Sequence, residues 1–269
     1  MEGRAQSRGC SSTVTSDTVP SAPEGRPSTL DRVVTGLSPT KKRLLETAER
    51  LFAAKGVNAV SLRQIRIAAG QRNESTLHYH FGSREGLLRA ILNQHVPGIN
   101  ARRDELAKVL NAASEVGPQE VVETYVLPYA ELLDCGRSPR YYLQMRANLF
   151  TNPEMSIPEL HRLEGNTALR PDRRMTALSR MAFPHIPHGL LRARLEIAQL
   201  QAMQALAFRA MAMNSRKSMK DLPSTSVYIA NLIDMYCGAV GQPLSDTLRA
   251  EVEKGTWARP TRDMRVPSR

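Results

Sequence analysis

Three glycines, Gly56, Gly70 and Gly82, cut the helix-patterned stretch from Pro39 to Leu92 into four pieces, and this punctuation constrains the fold more than any other feature of the chain. Glycine stops helices because it enters the left-handed backbone region without a steric cost. Helices this short are marginal alone in water, so the pieces must pack on one another. The first opens on Ser38-Pro39, an N-cap followed by proline at the first helical position, and carries Leu44, Leu45, Ala48, Leu51 and Phe52 at helical spacing. The second has a fuller start signal: Ser61 and Gln64 stand at capping-box spacing, and Val60 and Ile65 can form a hydrophobic staple. Asn73 is the candidate cap of a third, short helix running through Thr76, Leu77 and Tyr79 to Phe81. Ser83 caps a fourth that carries Leu87, Leu88, Ile91 and Leu92.

The third helix has an odd composition for a core element. Only Leu77 and Phe81, four apart, form an apolar stripe, which leaves Asn73, Glu74, Ser75, His78, Tyr79 and His80 facing outward. A helix that enters the major groove of DNA needs that kind of exposed face, polar and hydrogen-bonding, with small residues at its N-terminus for close approach. The second and third helices with their short turn therefore predict a helix-turn-helix.

Charge supports the same expectation. The formal net charge is +11, yet residues 1–37 are neutral, with four basic and four acidic side chains. Residues 38–96 carry ten basic and four acidic residues, and 97–269 carry 23 and 18 over a much longer stretch. Positive charge thus concentrates on the predicted helix-turn-helix unit, the footprint of a polyanion-binding module.

The ordered series "RLLETAERLFAAKGVNAVSLRQIRIAAG" followed by "STLHYHFGSREGLLRAIL" resembles the DNA-binding domain of the TetR family of bacterial transcriptional regulators over Pro39 to Val96. That resemblance implies an all-α homodimer bound to a palindromic double-stranded DNA operator. It also implies repression, released when a small-molecule effector occupies the C-terminal domain. Position by position, it implies a phosphate contact at Ser61, base reading at Asn73, Glu74 and Ser75, groove and phosphate contacts at His78, Tyr79 and His80, and a basic contact at Arg84. The turn "QRNES" is one residue longer than the common family form. Glu74 also fits a simpler role, an acid in the first helical turn that stabilises the helix dipole.

The rest of the chain predicts further helices, at about 99–115, 118–134, 139–150, 157–180, 188–214 and 225–240, with a short one at 245–253. The expected organisation is a disordered tail (1–37), the DNA-binding domain (38–96), a helical effector-binding and dimerisation domain (97–240) and a C-terminal extension (241–269). Pro97-Gly98 is expected to join the two domains. Leu191, Leu195, Ala198, Ala202 and Leu206 form one apolar stripe and Ile229, Leu232, Ile233, Tyr236 and Val240 another. The two helices that carry them are expected to form the dimer interface, as a four-helix bundle with the partner subunit; that they close the core of the same chain is the alternative that pattern leaves open. A largely apolar effector is expected near Tyr125, Tyr129, Tyr141 and Met145.

Other classes find little support. No nucleophile, base and carboxylate are grouped as an enzyme would need, and no glycine-rich loop cradles phosphate, so no catalytic residue and no cofactor is expected. His78 and His80, two apart on a helix, fall on different faces and do not suit one metal ion. His185 and His188 sit among prolines in a helix connector. The alternative functions are a TetR-like regulator that acts as an activator or without a ligand, and a non-specific architectural DNA binder, which would leave the long apolar domain after the basic module without a purpose. No apolar run is long enough for a membrane span, Met1 to Pro20 lacks a secretory core, and Cys10, Cys135 and Cys237 are unpaired in spacing. A cytoplasmic, nucleoid-associated bacterial protein is the expectation.

Overall fold

In the computed structural model, residues 37–113, 115–150, 163, 173–215 and 223–254 are described. Residues 1–36 of the expected tail, with Cys10, and the last fifteen residues lie outside them, as does most of the helix expected at 157–180. The described elements are α1 (Pro39–Lys55), α2 (Leu62–Ala68), α3 (Thr76–Phe81), α4 (Arg84–Ala112), α5 (Pro118–Ala130), a 3-10 turn (Glu131–Leu133), α6 (Arg137–Phe150), α7 (Arg173–Ala182), α8 (His188–Asn214), α9 (Thr225–Gly241) and α10 (Asp246–Glu253). There is no strand among the described residues, and the fold is all-α. No described helix is long and apolar enough to cross a membrane.

The local start signals form as their residues dictate. Ser38 Oγ accepts from the Lys41 N–H (3.3 Å), and Ser83 Oγ accepts from the Gly86 N–H (3.0 Å). Ser61 and Gln64 make both halves of the capping box, at 3.1 and 2.7 Å. Val60 and Ile65 are buried together beneath it. Asn73 does not cap α3 through its side chain. Its Oδ1 instead accepts from the Ser75 N–H (2.9 Å), and Ser75 stands at the N-cap.

Pro97-Gly98 is not a joint. α4 runs unbroken through Pro97 for 29 residues, a rod of about 43 Å. The reason lies in what flanks the proline. His95, Val96 and Ile99 continue the buried stripe of Leu87, Leu88, Ile91 and Leu92 without a break in phase. An interior proline costs about 3 kcal/mol, while burying Val96 and Ile99 returns about 1.5–3 kcal/mol each. Packing wins over propensity. The rod therefore belongs to the helix-turn-helix unit at one end and to the C-terminal body at the other.

α6 lies between α1 on one side and α8 on the other. Its Asn148 side chain donates to the Phe52 and Ala53 carbonyls at the end of α1 (3.4 and 3.1 Å). Gln204 of α8 donates to the Ala147 carbonyl (3.1 Å). α9 packs antiparallel on α8, tied by Tyr228 Oη to the Ala205 carbonyl (2.8 Å) and Tyr236 Oη to the Leu195 carbonyl (3.1 Å). The apolar stripes expected at the dimer interface are instead core of the same chain, because helices of that chain cover them: Leu191, Ala198, Ala202, Leu206, Leu232, Ile233, Tyr236 and Val240 are all buried. Leu195 and Ile229 are half-buried against that core. What the two helices leave exposed is a different set, Ile197, Phe208 and Met211 on α8 and Val227 and Met235 on α9.

Candidate nucleic-acid interface

α3 presents its side chains as the pattern requires. Leu77 is buried, Phe81 is half-buried beneath the Lys41 ammonium (5.7 Å to the ring centroid), and Tyr79 is 84% exposed. Tyr79 has its ring edge-on to His80 (5.1 Å between centroids), which stiffens a side chain that projects into solvent. His78, Asn73, Glu74 and Ser75 are exposed and His80 is half-buried. These residues lie together on α3 and in the turn before it. One of the four acids within 38–96, Glu49, is completely buried, so the exposed charge of this unit is more positive than its composition suggests.

Several of the expected contact residues have structural partners, Ser61 and Arg84 among them. The Ser61 hydroxyl donates to Gln64 Oε1 (3.1 Å) while accepting from the Gln64 N–H, so a phosphate contact from it needs the hydroxyl hydrogen to turn outward. Arg84 Nη1 donates to the Val57 carbonyl (2.5 Å), tying the start of α4 to the corner between α1 and α2. Its remaining N–H groups are the ones left for a phosphate.

Three features of the unit were not foreseen from the residues. Gly86 stands where a Cβ would lie 2.0 Å from the Phe81 carbonyl oxygen, so only glycine lets α4 approach the end of α3 this closely. Arg66, in the last turn of α2, donates to the Gln71 and Arg72 carbonyls (3.0 and 2.9 Å) and faces Glu74 at 3.5 Å. Behind the unit, the buried Glu49 carboxylate of α1 accepts from His95 Nε2 of α4 (2.7 Å) and from the Ser138 hydroxyl of α6. The His95 ring stacks on Tyr142 (4.2 Å between centroids). This polar node fastens the helix-turn-helix unit to the C-terminal body.

The four residues expected around an effector divide between two environments. Tyr125 is half-buried and shares a hydrogen bond with Ser179 of α7 (3.3 Å), and its ring faces that of Tyr236 at 6.3 Å. Tyr129 is buried beneath the Arg103 and Arg146 guanidinium groups (5.8 and 5.5 Å). Met145 is wholly buried and Tyr141 half-buried. Burial raises the hydroxyl pKa of Tyr125, and raises that of Tyr236 well above the usual value, so both are neutral donors at physiological pH. Two surface grooves flank this region, one of about 370 Å³ lined by Phe150, Leu200, Gln201 and Gln204, the other of about 590 Å³ running from Ala177 to His188. None of the four residues lines either.

Residues 44–91 match the model of the "Bacterial regulatory proteins, tetR family". That span covers α2, α3 and the flanking parts of α1 and α4, the elements that build the exposed surface. No functionally curated protein matches the chain significantly. Solved structures with a similar course include a putative TetR-family regulator from Mesorhizobium loti, at 17% identity over 73% of this chain and 94% of that one, with a TM-score of 0.41. Another is the TetR-family regulator PfmR from Thermus thermophilus, at 18% identity over 76% and 99% of the two chains, with a TM-score of 0.40. A third, a TetR-family protein from Rhodococcus, has 17% identity over 76% and 98%, with a TM-score of 0.43. The weight therefore rests on the family match and on the surface it spans.

Proposed function

We propose, from the match of residues 44–91 to the tetR-family model, that this chain is a DNA-binding transcriptional regulator that represses transcription as a homodimer bound to a palindromic operator. The observation that carries this reading is α3 itself. One buried leucine and one half-buried phenylalanine hold a helix on which His78 and Tyr79 are exposed, Tyr79 to 84%. A core helix has no use for such a face, whereas a recognition helix requires it. Asn73, Glu74 and Ser75 are the candidate base readers at its start. His78, Tyr79 and His80 reach groove walls and phosphates, and Ser61 and Arg84 contribute backbone contacts to the extent that their internal partners leave them free.

The exposed apolar residues of α8 support the dimer. Ile197, Gln201, Gln204, Phe208 and Met211 follow one another at spacings of four, three, four and three, and all are exposed. That is the spacing of a seam between two helices, and exposed residues such as Phe208 are what a second subunit would cover. The buried stripes named above cannot serve, since they are already used within the chain.

The effector, in this proposal, is small and largely apolar and enters the body near Tyr125, Tyr129, Tyr141 and Met145. Because Tyr129 and Met145 are closed over, binding has to part helices that pack on one another, α5 from α7 among them. α4 is the member that carries the displacement, being continuous from Arg84 to Ala112 and fastened to α1 at His95. A differential affinity of a few kcal/mol between two states suffices to empty the operator. The test is a footprint on the DNA flanking the gene of this protein. One protected inverted repeat, lost with Tyr79→Ala and released by a lipophilic compound that also raises the melting temperature, agrees with the proposal. Uniform protection along the DNA would point to an architectural binder instead.

A further inference from the structure

The five residues between Gly70 and Thr76 have little regular structure to hold them, yet they place the start of α3. The backbone ties within the turn are few. The Gln71 N–H reaches the Arg66 carbonyl (3.0 Å), and Ser75 and Thr76 turn back to Asn73. The two consecutive carbonyls of Gln71 and Arg72 would be left to solvent were it not for one side chain. Arg66 Nη1 donates to both carbonyls, at 3.0 and 2.9 Å. Its Nη2 lies 3.5 Å from Glu74 Oε1, at the entrance to α3. The Arg66 side chain is only 12% exposed while that of Glu74 is 89% exposed.

We infer that Arg66 is the positioning residue of the DNA-reading element, a guanidinium that locks the turn from Gln71 to Glu74 and thereby fixes where Asn73 to Tyr79 stand relative to α2. This rests on the DNA-binding reading of α3 given above. The chemistry calls for arginine in particular. A planar fork can bond two adjacent carbonyls and face a carboxylate at once, whereas a lysine ammonium presents one compact charge on a flexible stem. The pairing also holds the Glu74 carboxylate beside a cation, which lessens its repulsion of phosphates near the helix start. Low exposure separates Arg66 from the ordinary basic residues of the unit. It is turned inward, and its influence on DNA passes through the turn.

The experiment uses the full-length protein, with a duplex selected from a random pool by the wild type and a shuffled duplex of equal composition. Arg66→Lys and Arg66→Ala should each weaken binding to the selected duplex by about tenfold or more. Binding to the shuffled duplex should change less than about threefold, and the salt dependence should keep its wild-type slope, because no phosphate contact has been removed. Wild-type affinity in Arg66→Lys would overturn the inference, since charge alone would then suffice. Equal losses on both duplexes, with the slope reduced by about one, would also overturn it by making Arg66 a phosphate contact. If Arg66→Ala fails to fold, Arg66→Lys decides. If the wild type selects no sequence, the functional reading falls, and amide exchange over residues 71–76 in the DNA-free proteins tests the clamp separately. Faster exchange in Arg66→Lys is expected there, and unchanged exchange would refute the clamp.

Discussion

Replacing His95 by phenylalanine isolates one hydrogen bond at the centre of the molecule. The ring remains, and with it the stacking on Tyr142, but the donor to Glu49 Oε1 is gone. Glu49 is completely buried, and among the described residues only His95 and Ser138 donate to it, so the variant leaves one carboxylate oxygen without a partner. Removing one member of a buried pair costs about 3–5 kcal/mol. The Ser138 hydroxyl remains to hold the other oxygen, so we expect the lower end, about 3 kcal/mol. In a body of this size that is a fall in melting temperature of roughly 6–12 °C. The double variant Glu49→Met with His95→Phe removes the buried carboxylate as well and should recover most of the loss, ending about 1 kcal/mol below wild type, the deficit being the Ser138 hydroxyl without its acceptor. Urea unfolding followed by circular dichroism, at one protein concentration because association shifts apparent stability, gives the three values. A loss below about 1 kcal/mol in the single variant, or a double variant no more stable than the single, would refute the assignment of this node as a stabilising tie.

Three other outcomes follow from named residues. Phe208→Glu places a charge in the exposed seam of α8 and should give folded monomers on sizing; a dimer of normal size would locate the subunit contact elsewhere. Gly86→Ala should destabilise by about 2 kcal/mol or more in thermal melts, opposite in sign to the usual gain for glycine to alanine within a helix, because the added Cβ would meet the Phe81 carbonyl at 2.0 Å. Tyr125, Tyr228 and Tyr236 have raised pKa values, chiefly through burial, and burial together with Asp234 pushes the Cys237 thiol up to about 11. The unfolded chain therefore releases these protons first, so the stability they contribute is intact below about pH 9 and lost as pH rises through the folded values; a melting temperature that holds constant from pH 8 to pH 11 would contradict this.

The parts of this fold that were legible in the sequence are the ones whose causes are local. A capping box needs only Ser61 and Gln64, three residues apart, and the end of α3 needs only Gly82, so both could be read directly. Pro97 was misleading because a local rule was outweighed by packing that the sequence does not display: Val96 and Ile99 keep α4 intact by what they bury. The stripes on α8 and α9 were expected to face a second subunit and are core instead, because a period of 3.6 states that a face is covered and not by whom. Leu232, which reads as well at a subunit contact, is core. The polar node was invisible for a related reason, since Glu49, His95 and Ser138 lie 46 and 89 residues apart in pairs. Arg66 looked like one more solvated base on a basic module; nothing in its spacing reveals that its guanidinium is turned back into the turn.

The central claim is that the exposed face of α3 reads double-stranded DNA from two subunits at once. Enrichment of a random duplex pool by the full-length protein tests it most directly, with Tyr79→Ala carried through in parallel. The wild type should enrich an inverted repeat whose half-site centres lie about one helical turn apart, and Tyr79→Ala, still folded and dimeric, should enrich it weakly or not at all. A wild-type pool no different from its starting composition, or an inverted repeat enriched equally by Tyr79→Ala, would contradict it.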